Sequence, residues 1–184
     1  MRGASATGYA FNHNGKLTIY KRPFAAHKVH LRLHDDSNVI MGHTRMATQG
    51  NKLDNRNNHP FPGKVGNISF ALAHNGVLHN DVRLRKQMSL PDSYIAVQLL
   101  EQQKSLDIQP TSEMAELVEG SFVFTVLDDK NNIYFVKGDN TLALYHYETC
   151  GLYIYASTEA ILDRALARLG IISIEHQKID TTCG

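Results

Sequence analysis

The sequence predicts an α+β domain. Antiparallel β-meanders occupy both ends of the chain, and the helical patterns are grouped between them rather than alternating with strands. The size agrees with one domain: 184 residues, 42% of them hydrophobic and 20% charged, can bury a core without covalent staples. Residues 1–184 are therefore read as a single domain.

Each element has its own signal. Ala6–Phe11 and Leu17–Lys21 flank the turn Asn12-His13-Asn14-Gly15, the pattern of a β-hairpin. Val39–Met41 and Ser69–Ala73 are short apolar runs that suit buried strands. Thr48–Gly66 between them is rich in Asn, Gly and Pro and has no period, so it reads as a long functional loop. Asn80–Met88 carries alternating charge and reads as helical. Asp92–Gln103 puts Ile95, Ala96, Leu99 and Leu100 on one face, an amphipathic helix with Asp92 at its start. Phe122–Leu127 is apolar at both alternating sets of positions, which predicts a central strand covered on both faces. Asp128–Asn132 turns into Ile133–Val136. Thr141–Tyr147 and Leu152–Ala156 form a second hairpin across Glu148-Thr149-Cys150-Gly151. Ser157 or Thr158 then caps a helix expected to face inward through Ile161, Ala165 and Leu169 and to stop at Gly170.

Composition narrows the function. Lys plus Arg is 19 against 18 for Asp plus Glu, a net charge of +1, so no nucleic acid and no acidic membrane surface is expected as partner. Two cysteines, Cys150 and Cys183, argue against a disulfide scaffold or a zinc ribbon. His27, His30 and His34 hold no single helical face and are interleaved with Lys28 and Arg32; a solvated basic segment is the expectation there, and no metal is assigned. No apolar run reaches spanning length and Met1-Arg2-Gly3-Ala4-Ser5 is no signal peptide, from which a cytoplasmic location is expected.

Three polar segments fall where the pattern leaves a strand. Gly42-His43-Thr44-Arg45-Met46-Ala47-Thr48-Gln49-Gly50 reads as a surface arginine with a Thr-Gly turn, or as a clamp whose guanidinium fork holds a carboxylate. Ala73-His74-Asn75-Gly76-Val77 reads as a type I′ hairpin turn, or as an oxyanion hole built from the Asn amide and the Gly N–H. Asp92 in Pro91-Asp92-Ser93-Tyr94 reads as an N-cap, or as the partner of a substrate ammonium group.

Taken in order, Arg2-Gly3-Ala4-Ser5-Ala6-Thr7-Gly8, Gly42–Gly50, Asn58-His59-Pro60-Phe61, His74-Asn75-Gly76 and Asp92 resemble the class II glutamine amidotransferase domain, of the N-terminal-nucleophile hydrolase type. Glu119–Phe124 and Tyr155–Ala160 extend the resemblance over nearly the whole chain, which is most similar to the stand-alone bacterial and phage versions. The resemblance implies a four-layer αββα sandwich of two antiparallel sheets. It implies glutamine as substrate and no cofactor. Arg45 would pair with the α-carboxylate, Thr48 and Gln49 would line the pocket, and Asp92 would receive the α-amino group. Asn75 and Gly76 would form the oxyanion hole. The chemistry is coherent: a zwitterion needs one fixed cation and one fixed anion, and amide hydrolysis needs oxyanion donors. Met46 replaces an aromatic residue common in the family, and Tyr94 stands where Glu often follows.

The family's nucleophile is an N-terminal cysteine on a strand ahead of the Arg-Gly segment, and no residue here matches it. Cys150 and Cys183 read as bystander thiols. The domain is therefore expected to be N-terminally truncated by its first strand and inactive in this form. Restored, it would be a glutaminase passing ammonia to a synthase domain or subunit. The alternative is a non-catalytic glutamine-binding or subunit-docking module. An unpaired inner sheet edge would favour self-association into a homo-oligomer.

Overall fold

The computed structural model describes residues 3–46, 53–84 and 93–182. Its strands are β1 (Ala6–His13), β2 (Lys16–Arg22), β3 (Ile40–Arg45), β4 (Phe61–Val65), β5 (Ile68–Leu78), β6 (Gly120–Asp128), β7 (Ile133–Lys137), β8 (Ala143–Tyr147), β9 (Leu152–Ala156) and β10 (Gln177–Ile179). The helices are α1 (Asp81–Leu84), α2 (Tyr94–Glu101), α3 (Ile108–Leu117) and α4 (Glu159–Leu169). All described pairings are antiparallel, in three sheets ordered β2-β1-β3, β10-β8-β9 and β4-β5-β6-β7. The α+β class predicted from the sequence is the class observed.

The layers follow from which faces are apolar. On β5, Phe70 and Leu72 face one side and Ala71 and Ala73 the other, and all four are buried. The Phe70 side, with Phe124 and Val126 of β6, packs under Ile95 and Leu100 of α2 and Met114 of α3. The Ala71 side, with Leu127, packs against Ala10 of β1 and Met41 of β3. Small residues on this side let two sheets approach closely. The β8–β9 hairpin lies over the same side, since Tyr155 of β9 meets Phe135 of β7 edge to face at 4.8 Å. Its own outer face is covered by Leu162 and Leu166 of α4. The order is helices, four-stranded sheet, the two three-stranded sheets, helix.

The first hairpin turns at Asn14-Gly15, both with positive φ, as Asn-Gly turns require. Thr158 caps α4 by accepting from the Ile161 N–H, and Gly170 ends it at φ 71°.

Three sequence expectations are corrected. His74-Asn75-Gly76 is not a hairpin turn: β5 runs on through it to Leu78, with Asn75 opposite Val123 and Gly76 opposite Phe122. The buried face of α4 is Leu162 and Leu166; Ile161 is 41% and Leu169 70% exposed, and Ala165 is exposed as well. A ridge one residue round the helix meets the β8–β9 face better, because Tyr145, Tyr147 and Ile154 form the apolar surface there. The long loop contains β4, an edge strand whose Pro62 and Gly63 hide its pattern. Residues 48–52 of that loop and 85–88 of the predicted helix over Asn80–Met88 lie outside the described residues, and α1 falls in the helix's described part.

Candidate amidohydrolase site

A cleft of about 770 Å³ opens between the sheets, lined by the C-terminal end of β3, the middle of β5 and β9. Arg45, Asn75 and Gly76 all border it, so three of the six residues singled out from the sequence meet at one place. Thr48, Gln49 and Asp92 lie outside the described residues; their nearest described neighbours toward the cleft, Met46 and Ser93, both line it.

Arg45 is the last residue of β3 and is only 9% exposed. Its strand position is held by pairing with Ala6 and by the Ser5 N–H, which donates to its carbonyl at 3.0 Å. The guanidinium Nη1 donates to Asn58 Oδ1 at 2.9 Å, and the Asn58 amide donates in turn to Asn55 Oδ1 at 3.2 Å. That relay starts from the short 3₁₀ turn Asn55–Asn57, which Asp54 caps by accepting from the Arg56 N–H.

Gly76 has φ 144°, a region that disfavours side chains, and a Cβ there would collide with the Ser121 carbonyl oxygen. The Asn75 carbonyl accepts from Asn140 Nδ2 at 2.8 Å, which ties the site strand to the segment entering β8. On the opposite face of β5, His74 Nδ1 and Ser93 Oγ lie 2.7 Å apart, joining the strand to the start of α2. Gly8 shows why β1 carries glycine in the first motif: a side chain there would run into the His59 carbonyl oxygen.

A group of imidazoles beside Arg45 was not foreseen from the sequence. His43 and His59 have ring centroids 4.4 Å apart, and His59 and His74 6.5 Å. His43 keeps an edge on the cleft, yet enclosure by the surrounding protein, then His74 and Arg45, lowers its pKa from 6.5 to about 4. Burial first, then His43, His74, Arg45 and Lys21, holds His59 well below the usual imidazole range. His43 and His59 are therefore neutral at pH 7 beside the charged Arg45. Asn58-His59-Pro60-Phe61 was visible as a motif, but the meeting of three separate segments was not.

Cys150 is exposed in the turn between β8 and β9, where its thiol points to the Tyr147 carbonyl at 3.6 Å, and it does not line the cleft. Cys183 lies outside the described residues. Of the predicted replacements, Met46 is 60% exposed at the cleft, and Tyr94 packs edge-on against Phe61 at 5.6 Å. In the His27–His34 segment, His34 stacks on His13 at 3.7 Å, and His13 bonds Asp36 at 2.6 Å. Among the described residues, no helix is long and apolar enough to cross a membrane.

The motif order, the fold and the cleft define a class: the chain is a glutamine amidotransferase domain of the class II, N-terminal-nucleophile type. It is 30% identical over 158 residues to glutamine–fructose-6-phosphate aminotransferase (isomerizing) of Staphylococcus aureus, covering 78% of this chain and 26% of that protein. The same enzyme of Caldanaerobacter subterraneus is 30% identical over 142 residues, covering 71% of this chain and 23% of the relative. The chain thus spans about a quarter of the length of these relatives. Among solved structures, glutamine phosphoribosylpyrophosphate amidotransferase from B. subtilis superposes with a TM-score of 0.70 at 18% identity, covering 97% of this chain and 40% of that one. A predicted glutamine amidotransferase from Pseudomonas aeruginosa gives 0.53 at 17% identity, covering 78% and 64%. No protein-family model matches the chain.

Proposed function

We propose that the cleft binds free glutamine and presents its side-chain amide for hydrolysis to glutamate and ammonia. The observation that carries this is the shared cleft: a buried, amide-held guanidinium on β3 and the Asn75-Gly76 pair on β5 open onto the same space. Arg45 takes the α-carboxylate, Asp92 the α-amino group, and Thr48 and Gln49 complete the pocket wall. The reacting carbonyl then sits at Asn75 and Gly76.

In the reaction, a thiolate attacks the amide carbon and the carbonyl π electrons move to oxygen. The Asn75 side-chain amide and the Gly76 N–H donate to that oxyanion. Its collapse expels the nitrogen, which leaves as ammonia after taking a proton from the base, and a thioester remains. Water then attacks the thioester, giving glutamate and restoring the thiol. By family resemblance the thiol is an N-terminal cysteine whose α-amine acts as base. Cys150, exposed and outside the cleft lining, is assigned no part. Without such a cysteine the chain binds glutamine and releases no glutamate. With one, ammonia passes to an acceptor domain or subunit, in keeping with relatives named as aminotransferases.

A glutamine-binding or docking module is the second reading, favoured by the lack of a thiol among the described cleft-lining residues. Calorimetric titration tests the feature common to both. L-Glutamine is expected to bind, and glutaminamide, whose carboxylate is blocked, to bind at least about tenfold more weakly. Arg45→Met should abolish the difference. Equal affinity for the two ligands in the unmodified chain sinks the proposal. Glutamate release that depends on Cys150 would overturn the assignment of the nucleophile.

A further inference from the structure

A hydrogen-bond chain with no part of its own in the reaction ends on the backbone of the Asn75-Gly76 pair. Asn140 stands between β7 and β8, half-buried, and lines the cleft together with Thr141 and Ser157. Its Nδ2 donates to the Asn75 carbonyl at 2.8 Å. Its Oδ1 accepts from the Thr141 N–H at 2.9 Å, which sets the direction of the carboxamide and leaves Nδ2 to face Asn75. Thr141 is anchored in turn, since its Oγ1 donates to the Ser157 carbonyl at 2.6 Å. Ser157 directly precedes Thr158, the cap of α4. The chain thus runs from the entry of α4, through the segment entering β8, to one carbonyl on β5.

That carbonyl belongs to the same peptide unit as the Gly76 N–H. In a trans unit the two point in opposite directions, so a donor that holds the oxygen on one side turns the N–H to the other. This unit is one that rotates readily, because glycine accepts both signs of φ, and Gly76 already stands at φ 144°. Half a turn would exchange N–H for carbonyl and place an acceptor where an oxyanion needs a donor. Among the described strands, only β6 runs beside β5 at this point, since the pairing with β4 ends at Leu72.

We propose that Asn140 is a positioning residue of the oxyanion hole: its carboxamide locks the Asn75–Gly76 peptide with the Gly76 N–H in its donating orientation. What the N–H does rests on the amidohydrolase reading; what holds it rests on the hydrogen-bond chain alone. Asn140 acts through the Asn75 carbonyl. An aspartate has the same shape and can still accept from the Thr141 N–H. Its second oxygen would face the Asn75 oxygen, however, and two acceptors repel where a donor and an acceptor attracted.

Asn140→Asp, with Asn140→Ala as a variant that adds no charge, is compared with the unmodified chain in two measurements. The first needs no ligand: NMR relaxation dispersion reads peptide rotation on the microsecond-to-millisecond scale. Exchange at the Gly76 amide, or a displaced Asn75 carbonyl carbon resonance, is expected in both variants. The second titrates L-glutamine against L-norvaline, which keeps both α groups and lacks the side-chain amide. The unmodified chain should favour glutamine at least about tenfold, and the variants less than about threefold. The charge of the aspartate acts on both ligands alike and drops out of the ratio. A merely structural tie would lower the melting temperature and weaken both ligands together with the ratio kept, and that result overturns the proposal. So does a Gly76 amide and Asn75 carbonyl left unchanged in both variants. If the unmodified chain binds the two ligands equally, the amidohydrolase reading falls and the oxyanion role with it. The ligand-free measurement still reads the hold on the peptide in that case, so the two failures are told apart.

Discussion

Lowering the pH from 7.5 to 5 should destabilise this protein through His43 by about 2 kcal/mol. The folded-state pKa of His43 is about 4, set by burial and then by its neighbours His74 and Arg45. In the unfolded chain the same imidazole titrates near its ordinary value of about 6.5. Between those values the unfolded chain takes up a proton that the folded protein refuses, so stability falls as pH falls through the window from 6.5 to 4. At pH 5 the difference in binding polynomials comes to about 2 kcal/mol for one such site. His59, shifted in the same direction by burial, adds to the loss. Urea unfolding at pH 7.5, 6 and 5 measures it, and a loss of that size lowers the midpoint by roughly 1 M. Carboxylates held low, such as Asp54 by its bond from Arg56, protonate below this range and stay out of the comparison. His43→Gln, neutral throughout, should keep about 2 kcal/mol more of its pH 7.5 stability at pH 5 than the unmodified protein does. If both lose the same amount, the imidazole cluster is hydrated and protonatable, and the picture of a dry wall beside Arg45 is wrong.

Two further outcomes are expected. Gly76→Ala places a Cβ on the Ser121 carbonyl at φ 144°, and should cost about 2–4 kcal/mol in thermal or urea unfolding; an unchanged melting temperature would show that β5 and β6 can separate there. Tyr155→Phe removes a buried hydroxyl that lies against the Gly42 backbone and Thr125 and whose pKa burial drives upward; stability should fall by no more than about 1 kcal/mol, and a larger loss would show that this oxygen ties β9 to β3.

The elements legible in the sequence were those with a local cause. Asn14-Gly15 announces its hairpin by φ preference, Thr158 and Gly170 bound α4 by capping, and the two-sided apolar run of β6 marks a strand covered on both faces. Elements that depend on neighbours were read less well. Asn75-Gly76 carries a turn signal, yet Gly76 serves a tight passage against β6. The inner face of α4 was placed one residue away, because 3.6-residue periodicity allows either ridge and only the β8–β9 surface selects Leu162 and Leu166. α3 went unread, its Asp107 cap and first-turn Pro110 resembling a loop.

The same division holds for the site. The sequence by itself determined the class of domain and named Arg45, Asn75 and Gly76, because their order and spacing along the chain are covalent facts. Tertiary structure decided that Asn58 holds Arg45 and that His43, His59 and His74 gather beside it. It also decided that β3, β5 and β9 border one cleft. Each of those depends on distances between segments far apart in sequence, and packing alone sets them.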